Sequence, residues 1–112
     1  MIVSHHEHLV GVVARLKNLG ITDYDVIASA WLHDIIDDTR TSFDELEQRF
    51  GSKVAVLVLS VSKDMNVPRA KQEKQYVKQL KKASFEAKLI KLCDISAGLI
   101  DLRIRHFQRQ RK

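Results

Sequence analysis

The sequence predicts an all-α protein with about six helices. Apolar residues recur at helical spacing along most of the 112 residues, and only one proline and four glycines interrupt them. Alternation of apolar and polar residues, which is typical of half-buried strands, is nearly absent. We therefore expect one globular domain over residues 1–112, with a single modest hydrophobic core.

Each predicted helix has a start or stop signal of its own. A serine, threonine or aspartate side chain can accept a hydrogen bond from a first-turn N–H group, and glycine readily ends a helix. Pro68 suits the first turn of the fifth helix, which should end near Lys82. The other signals are Ser4, Gly20, Thr22 or Asp23, Ser42, Gly51, Ser52 and Ser84. The apolar positions of the sixth helix include Leu89, Leu92, Ile95, Leu99 and Leu102.

The fourth segment is the one ambiguous element. Residues 54–59 are rich in valine, which would also suit a buried strand. Periodicity alone does not decide so short an apolar run. The neighbouring segments are all helical and no partner strand is evident, so we predict a buried helix.

Composition excludes several classes of protein. No apolar run approaches the roughly 20 residues that a transmembrane helix needs. The N-terminus lacks the charged and apolar regions of a signal peptide. The single cysteine, Cys93, cannot form an internal disulfide and lies in an apolar helical segment, which indicates a reducing compartment. We expect a cytoplasmic protein without a membrane partner.

The net charge of +5 is concentrated in two segments. Residues 69–82 carry six lysines or arginines against one glutamate, and residues 103–112 form a basic C-terminal tail without an acid. Such segments can bind nucleic acid or another polyanion. They are more often solvated helix faces, and no nucleic-acid motif accompanies them, so we do not expect a nucleic-acid partner.

An acidic cluster follows the apolar part of the second predicted helix. It contains one imidazole and three carboxylates, namely His33, Asp34, Asp37 and Asp38. Residues three or four apart share one face of a helix, so several of these groups can face one point. Charge beside an apolar segment is costly unless it pairs or binds a metal. The cluster therefore predicts a site for a divalent ion.

Further ligands should come from other segments. Three histidines, His5, His6 and His8, lie on the first helix, and spacing alone does not choose among them. Asp94 lies in an apolar run on the sixth helix, where an unpaired carboxylate is costly. Asp94 is therefore either paired with a lysine or bound to metal, and the sequence leaves both open.

Four pieces of the sequence, in this order and spacing, resemble one known family. The pieces are residues 8–19, 30–39, 41–51 and 91–94. Residues 8–102 as a whole resemble the HD-domain metal-dependent phosphohydrolases, and most closely those of the RelA/SpoT type that hydrolyse the alarmone (p)ppGpp. The third piece ends in the Phe-Gly of that family, and the fourth matches its Lys-Leu-Ala-Asp.

The resemblance implies a function and a set of site residues. His8, His33, Asp34 and Asp94 correspond to the metal ligands of the family, whose metal is commonly manganese. Asp37 and Asp38 correspond to the acidic pair that orients or deprotonates the attacking water. The implied reaction removes the 3′-pyrophosphate of a guanosine nucleotide, which would make a small-molecule nucleotide the partner of this chain.

The sequence also departs from the family. Gly98 replaces an asparagine, Asp37 replaces a glutamate, and the basic stretch that precedes the first histidine has no counterpart. We expect Arg40 and Lys63 to bind substrate instead, with weak alarmone hydrolysis, although a surface ion pair with Asp37 or Asp44 is the commoner role for a residue placed like Arg40. The alternatives are an inactive HD-type domain that binds a nucleotide or a protein, and a basic helical binder of nucleic acid. Homo-oligomerisation stays open.

Overall fold

A computed structural model describes residues 5–35 and 41–110, and all regular structure in these ranges is helical. The helices are α1 (His5–Asn18), α2 (Tyr24–Ile35), α3 (Phe43–Phe50), α4 (Ser52–Ser60), α5 (Arg69–Lys82) and α6 (Phe85–Gln110). The all-α prediction with six helices is confirmed. Among these helices, none combines the length and apolar character needed to cross a membrane.

The predicted caps explain where several helices begin and end. Ser42 and Ser84 each accept a hydrogen bond, at 3.2 Å, from the backbone N–H group three residues later. Asp23, rather than its neighbour Thr22, caps α2, and its carboxylate accepts from the N–H group two residues later at 2.8 Å. Gly20 and Gly51 have φ angles of 86° and 91°, which glycine adopts without strain.

The ambiguous fourth segment is a buried helix, as predicted. An α-helix satisfies its backbone N–H and C=O groups internally, whereas a strand would need a partner. Four of the nine residues of α4 are buried, and they are Val54, Ala55, Leu57 and Val58. The valine content of this segment therefore reflects its burial.

The hydrophobic core joins α1, α2, α4 and α6. Its central residues are Val12, Leu16, Val26, Ala30, Leu57, Ile90, Cys93 and Ala97. A smaller cluster packs Leu46 of α3 against α4. This arrangement places α1, α2 and α6 around one core, so side chains at their neighbouring ends can meet.

The buried face of α6 differs from the apolar positions that the sequence emphasised. Leu92, Ile95, Leu99 and Leu102 are each 50–58% exposed. The buried residues of α6 are Ala87, Ile90, Cys93 and Ala97. Both sets have helical spacing, so periodicity could not choose between them. The set with smaller side chains is buried because α1 packs closely against it.

The predicted basic tail is not separate from the sixth helix. The structure describes this segment as far as Gln110, and α6 continues through it. Arg103 and Arg109 are exposed on the helix. The described part of the basic segment, up to Gln110, is therefore the C-terminal end of α6.

Polar contacts attach α5 to the end of α4. Tyr76 is buried, and its hydroxyl donates a 2.7 Å hydrogen bond to the carbonyl oxygen of Val61. The side-chain nitrogen of Gln79 lies 2.8–2.9 Å from the carbonyl oxygens of Leu59, Ser60 and Ser62. An amide group has two hydrogens, so it donates to two of these carbonyls at a time. α5 thereby caps α4.

Candidate metal centre

Small residues allow α1 and α6 to approach closely. A Cβ atom added to Gly11 would lie 3.8 Å from Ala97 Cβ and 3.2 Å from Arg15 Nη1, which leaves little spare space. His8 is one turn before Gly11 on α1, and Asp94 is one turn before Ala97 on α6. The close approach therefore brings these two side chains together.

His8 and Asp94 form the shortest described contact between two of the predicted metal ligands. His8 Nε2 lies 2.8 Å from Asp94 Oδ1, and each side chain is 19% exposed. A carboxylate oxygen only accepts, so the imidazole N–H group donates. Of the three histidines that the sequence offered on the first helix, the structure brings His8 to Asp94.

His33 approaches the same carboxylate oxygen from the last turn of α2. Its Nε2 lies 3.8 Å from Asp94 Oδ1, and its side chain is 7% exposed. Its Nδ1 donates to the carbonyl oxygen of Ala30 at 2.6 Å. Because that bond holds the hydrogen on Nδ1, the neutral ring presents the Nε2 lone pair to Asp94. A lone pair and a carboxylate oxygen that face each other are two donor atoms of the kind that bind one divalent ion.

The second oxygen of Asp94 contacts a lysine. Lys91 Nζ lies 3.2 Å from Asp94 Oδ2, one turn along α6. Burial by itself would raise the pKa of Asp94, but the imidazoles of His33 and His8, together with the charge of Lys91, hold that pKa well below its usual range. The carboxylate is therefore ionised at neutral pH. The sequence left open whether Asp94 pairs with a lysine or binds metal; in the structure it pairs with Lys91, and two imidazoles approach its other oxygen.

The donor atoms fit a divalent ion in type, and two of their separations can be compared with what a shared ion requires. Imidazole nitrogen and carboxylate oxygen are the ligands of many hydrolytic metal sites. Two ligand atoms that each lie about 2.0–2.2 Å from one ion are themselves roughly 3 Å apart. The distances of 2.8 Å and 3.8 Å to Asp94 Oδ1 lie on either side of that separation.

The ligand set is incomplete within the residues that can be described. In residues 5–35 and 41–110, no three or more His, Cys, Asp or Glu side chains already form a group that could hold a metal ion. His8 instead donates directly to Asp94. The fourth predicted ligand, Asp34, lies on α2 next to His33, and its side chain is outside the described part of the structure.

The other predicted residues are placed as follows. The ring of His6 packs at 6.0 Å from that of Trp31. Lys63 Nζ lies 2.9 Å from Glu73 Oε2 and 5.7 Å from the centre of the Tyr76 ring. The remaining predictions fall outside the described residues or side chains, and they are His5, Asp37, Asp38 and Arg40.

Two residues at the site were not predicted as functional. Lys91 contacts Asp94, and its Nζ lies 5.3 Å from the centre of the Tyr76 ring. The three-residue spacing of Lys91 and Asp94 on a helix could have indicated their contact. Tyr76 gave no such signal, because it reaches the site through the packing of α5 against the rest of the fold.

Comparisons with known proteins show the family of the chain. Residues 3–111 match the family described as the HD domain. A Danio rerio protein, guanosine-3′,5′-bis(diphosphate) 3′-pyrophosphohydrolase MESH1, is 45% identical over 96 residues, which are 85% of this chain and 53% of that protein. The Mus musculus protein of the same name is 42% identical over 85% of this chain and 54% of its own length.

A solved structure is also similar. It belongs to a metazoan orthologue of SpoT described as hydrolysing ppGpp. It has a TM-score of 0.73 and 36% identity, over 87% of this chain and 55% of that chain. The present chain thus spans about half the length of the relatives that it matches.

Proposed function

The chain belongs to the HD-domain family, and on that premise we propose that it is a metal-dependent phosphohydrolase of a nucleotide. The lead substrate is guanosine-3′,5′-bis(diphosphate), from which it would release the 3′-pyrophosphate. One observation carries the proposal. His8 of α1 and His33 of α2 approach the same carboxylate oxygen, Oδ1 of Asp94 on α6. The relatives named for this activity support the choice of substrate.

We assign the metal site to His8, His33, Asp34 and Asp94. The buried ring of His33 is held by Ala30, so its Nε2 keeps a fixed direction. Lys91 holds the other end of the Asp94 carboxylate. A bound divalent ion, which we expect to be manganese, supplies a Lewis acid for the phosphoryl oxygen and acidifies its water.

Asp37 and Asp38 complete the proposed chemistry. They follow the histidine and aspartate of α2 in the sequence, and the family resemblance gives this pair the task of handling water. We propose that one of the two carboxylates accepts the proton of the attacking water. A correctly placed general base contributes about 100-fold to 10,000-fold to the rate.

The proposed setting of the protein is the cytoplasm, with a small nucleotide as its partner. Cys93 is free and buried, and burial raises the pKa of its thiol above the usual value. A protonated thiol is poorly reactive, which suits a packing role in a reducing compartment.

The test is a screen for pyrophosphate and phosphate release over guanosine and adenosine nucleotides, with and without manganese. We expect manganese-dependent release of pyrophosphate from guanosine-3′,5′-bis(diphosphate). Asp38→Asn should slow turnover by about 100-fold or more at saturating metal, as for a lost general base. Asp44→Asn, at an exposed position of α3, is the matched control and should match the wild type. Metal binding without release from any nucleotide would favour the inactive binding domain instead.

A further inference from the structure

One lysine lies between the proposed metal ligands and a buried aromatic ring. Lys91 Nζ is 3.2 Å from Asp94 Oδ2 and 5.3 Å from the centre of the Tyr76 ring. We infer that Lys91 binds phosphate oxygens of the substrate beside the metal ligands. This inference rests on the proposed function and adds to it the cation that recognises the anionic group.

The two oxygens of Asp94 have different partners. Oδ1 faces both imidazoles, and Oδ2 faces Lys91. The ammonium group of Lys91 is therefore separated from the imidazoles only by one carboxylate. An ammonium group has three N–H donors, and Asp94 and Tyr76 engage at most two of them, so at least one can donate to an anion. The Lys91 side chain is 26% exposed, which leaves it accessible.

Tyr76 restrains this lysine. The tyrosine is 6% exposed, and its hydroxyl is bonded to the carbonyl oxygen of Val61, so the ring has a fixed position. A lysine side chain normally loses much rotational freedom when it binds a ligand. Contacts with the ring and with Asp94 remove part of that freedom before any ligand arrives, which favours binding.

The other lysine on the same ring is less suitable. Lys63 Nζ lies 5.7 Å from the centre of the Tyr76 ring, but its Nζ also pairs with Glu73 at 2.9 Å. No described contact joins it to Asp94. Lys63 is therefore paired outside the site, whereas the acid that pairs with Lys91 is itself a proposed metal ligand. The structure favours Lys91 over the sequence-predicted Lys63 for the phosphate contact.

Calorimetric titration of the full chain with pyrophosphate, with and without manganese, tests the inference. Lys91→Met should weaken pyrophosphate binding about 10-fold to 100-fold, as expected for losing a charge-assisted hydrogen bond. The change in manganese affinity should be smaller than the change in pyrophosphate affinity, because removing a positive charge near the ion offsets the loss of a hydrogen-bond partner of Asp94. Lys91→Arg retains the charge and should recover most of the affinity.

Matched variants separate this effect from a general loss of charge or of folding. Lys88→Met removes the same charge from an exposed position of α6 and should leave pyrophosphate binding unchanged. Circular dichroism checks that Lys91→Met retains the helicity of the wild type. If it does not, Lys91→Gln replaces it in the same titration. Tyr76→Phe keeps the ring under Lys91 and should bind pyrophosphate as the wild type does, whereas Tyr76→Leu should bind it more weakly.

The outcomes distinguish this inference from the proposed function. Unchanged pyrophosphate affinity in Lys91→Met, with manganese still bound, would overturn the role of Lys91 and leave the metal-dependent function standing. Loss of manganese binding in that variant would instead make Lys91 a structural partner of Asp94. A wild type that binds no manganese would refute the proposed function. In that case the pyrophosphate titrations without manganese would test the role of Lys91. A wild type that binds no pyrophosphate would overturn that role as well.

Discussion

The two halves of α6 have similar apolar spacing but differ in burial and in their contacts. Before Gly98, the helix buries one apolar face in the core and presents Asp94 to two imidazoles. After Gly98, its large apolar residues Leu99, Ile100 and Leu102 are 42–58% exposed, and exposed arginines follow. Both halves have apolar residues at helical spacing, so spacing alone does not determine burial.

The difference lies in the size of the side chains that meet α1. Ala97 packs at Gly11, and this close contact sets the distance between His8 and Asp94. A side chain longer than a methyl group at Gly11 would have to displace Ala97 or Arg15. The first half of α6 is therefore constrained by the site, whereas the second half has no such constraint among the described residues.

The largest expected difference between the two halves concerns metal. Asp94→Asn, in the first half, removes a proposed ligand at nearly constant shape. Removing a residue that hydrogen-bonds to a metal ligand lowers metal affinity roughly 10-fold to 100-fold. Removing the ligand itself should lower it further. Arg103→Gln, in the second half, should bind manganese as the wild type does. Calorimetry measures both, and equal manganese affinity in Asp94→Asn would contradict the assignment.

A pair of isoleucines compares the packing of the two halves. Ile90 is fully buried and Ile100 is 42% exposed. Ile90→Ala should lower the free energy of unfolding by about 2–5 kcal/mol, because it removes buried surface and leaves a cavity. Ile100→Ala should change it by about 0.5 kcal/mol or less. Urea denaturation measures both values. Similar losses in the two variants would show that the second half is also packed in solution.

Gly98, where the two halves meet, should be replaceable. A Cβ atom added there would meet only His8 Cε1 at 4.0 Å, an ordinary contact. Glycine within a helix costs roughly 0.5–1 kcal/mol relative to alanine. Gly98→Ala should therefore stabilise the fold by about that amount and leave manganese affinity unchanged. A loss of stability in denaturation would mean that the helices are closer here than the structure shows.

The smallest expected effect concerns the first turn of α6. Lys53 Nζ lies 2.6 Å from Asp23 Oδ2 and 3.5 Å from Glu86 Oε2, and all three side chains are well exposed. The hydrogen bond from Lys53, followed by that from the Asp25 N–H group, lowers the pKa of Asp23. A carboxylate whose pKa is lowered by folding stabilises the fold fully above its usual titration range. This stabilisation is lost as the pH falls through the lowered pKa.

Thermal denaturation of Lys53→Met tests this ion pair. The variant should be slightly less stable than the wild type at neutral pH, and the difference should vanish as the pH falls below about 4, the usual range of a carboxyl group. Lys88→Met, which removes an exposed lysine of α6 without a described acidic partner, is the control. A difference that persists at low pH would attribute the loss to packing of the lysine stem instead.

The fold was largely predictable because its signals are local. Caps such as Ser42 and Ser84, and a stop such as Gly51, act within a few residues of where they occur. The valine-rich α4 was also predictable, since no strand was available to pair with it. The buried face of α6 was not predictable, because it depends on the approach of α1, which is distant in sequence.

The site was predictable in part for the same reason. The sequence placed His33 and Asp94 beside apolar segments, where ionised or polar groups need partners. Spacing could not choose His8 over His6, because that choice depends on how α1 faces α6 and Trp31. The contact of Lys91 with Tyr76 likewise requires the packing of α5.

The most direct test of the central claim is the metal content of the chain after manganese loading and dialysis. If His8, His33, Asp34 and Asp94 form one site, the wild type should retain one manganese ion per chain. A chain that retains no manganese, and shows no binding of it by calorimetry at neutral pH, would contradict the claim that these residues are metal ligands.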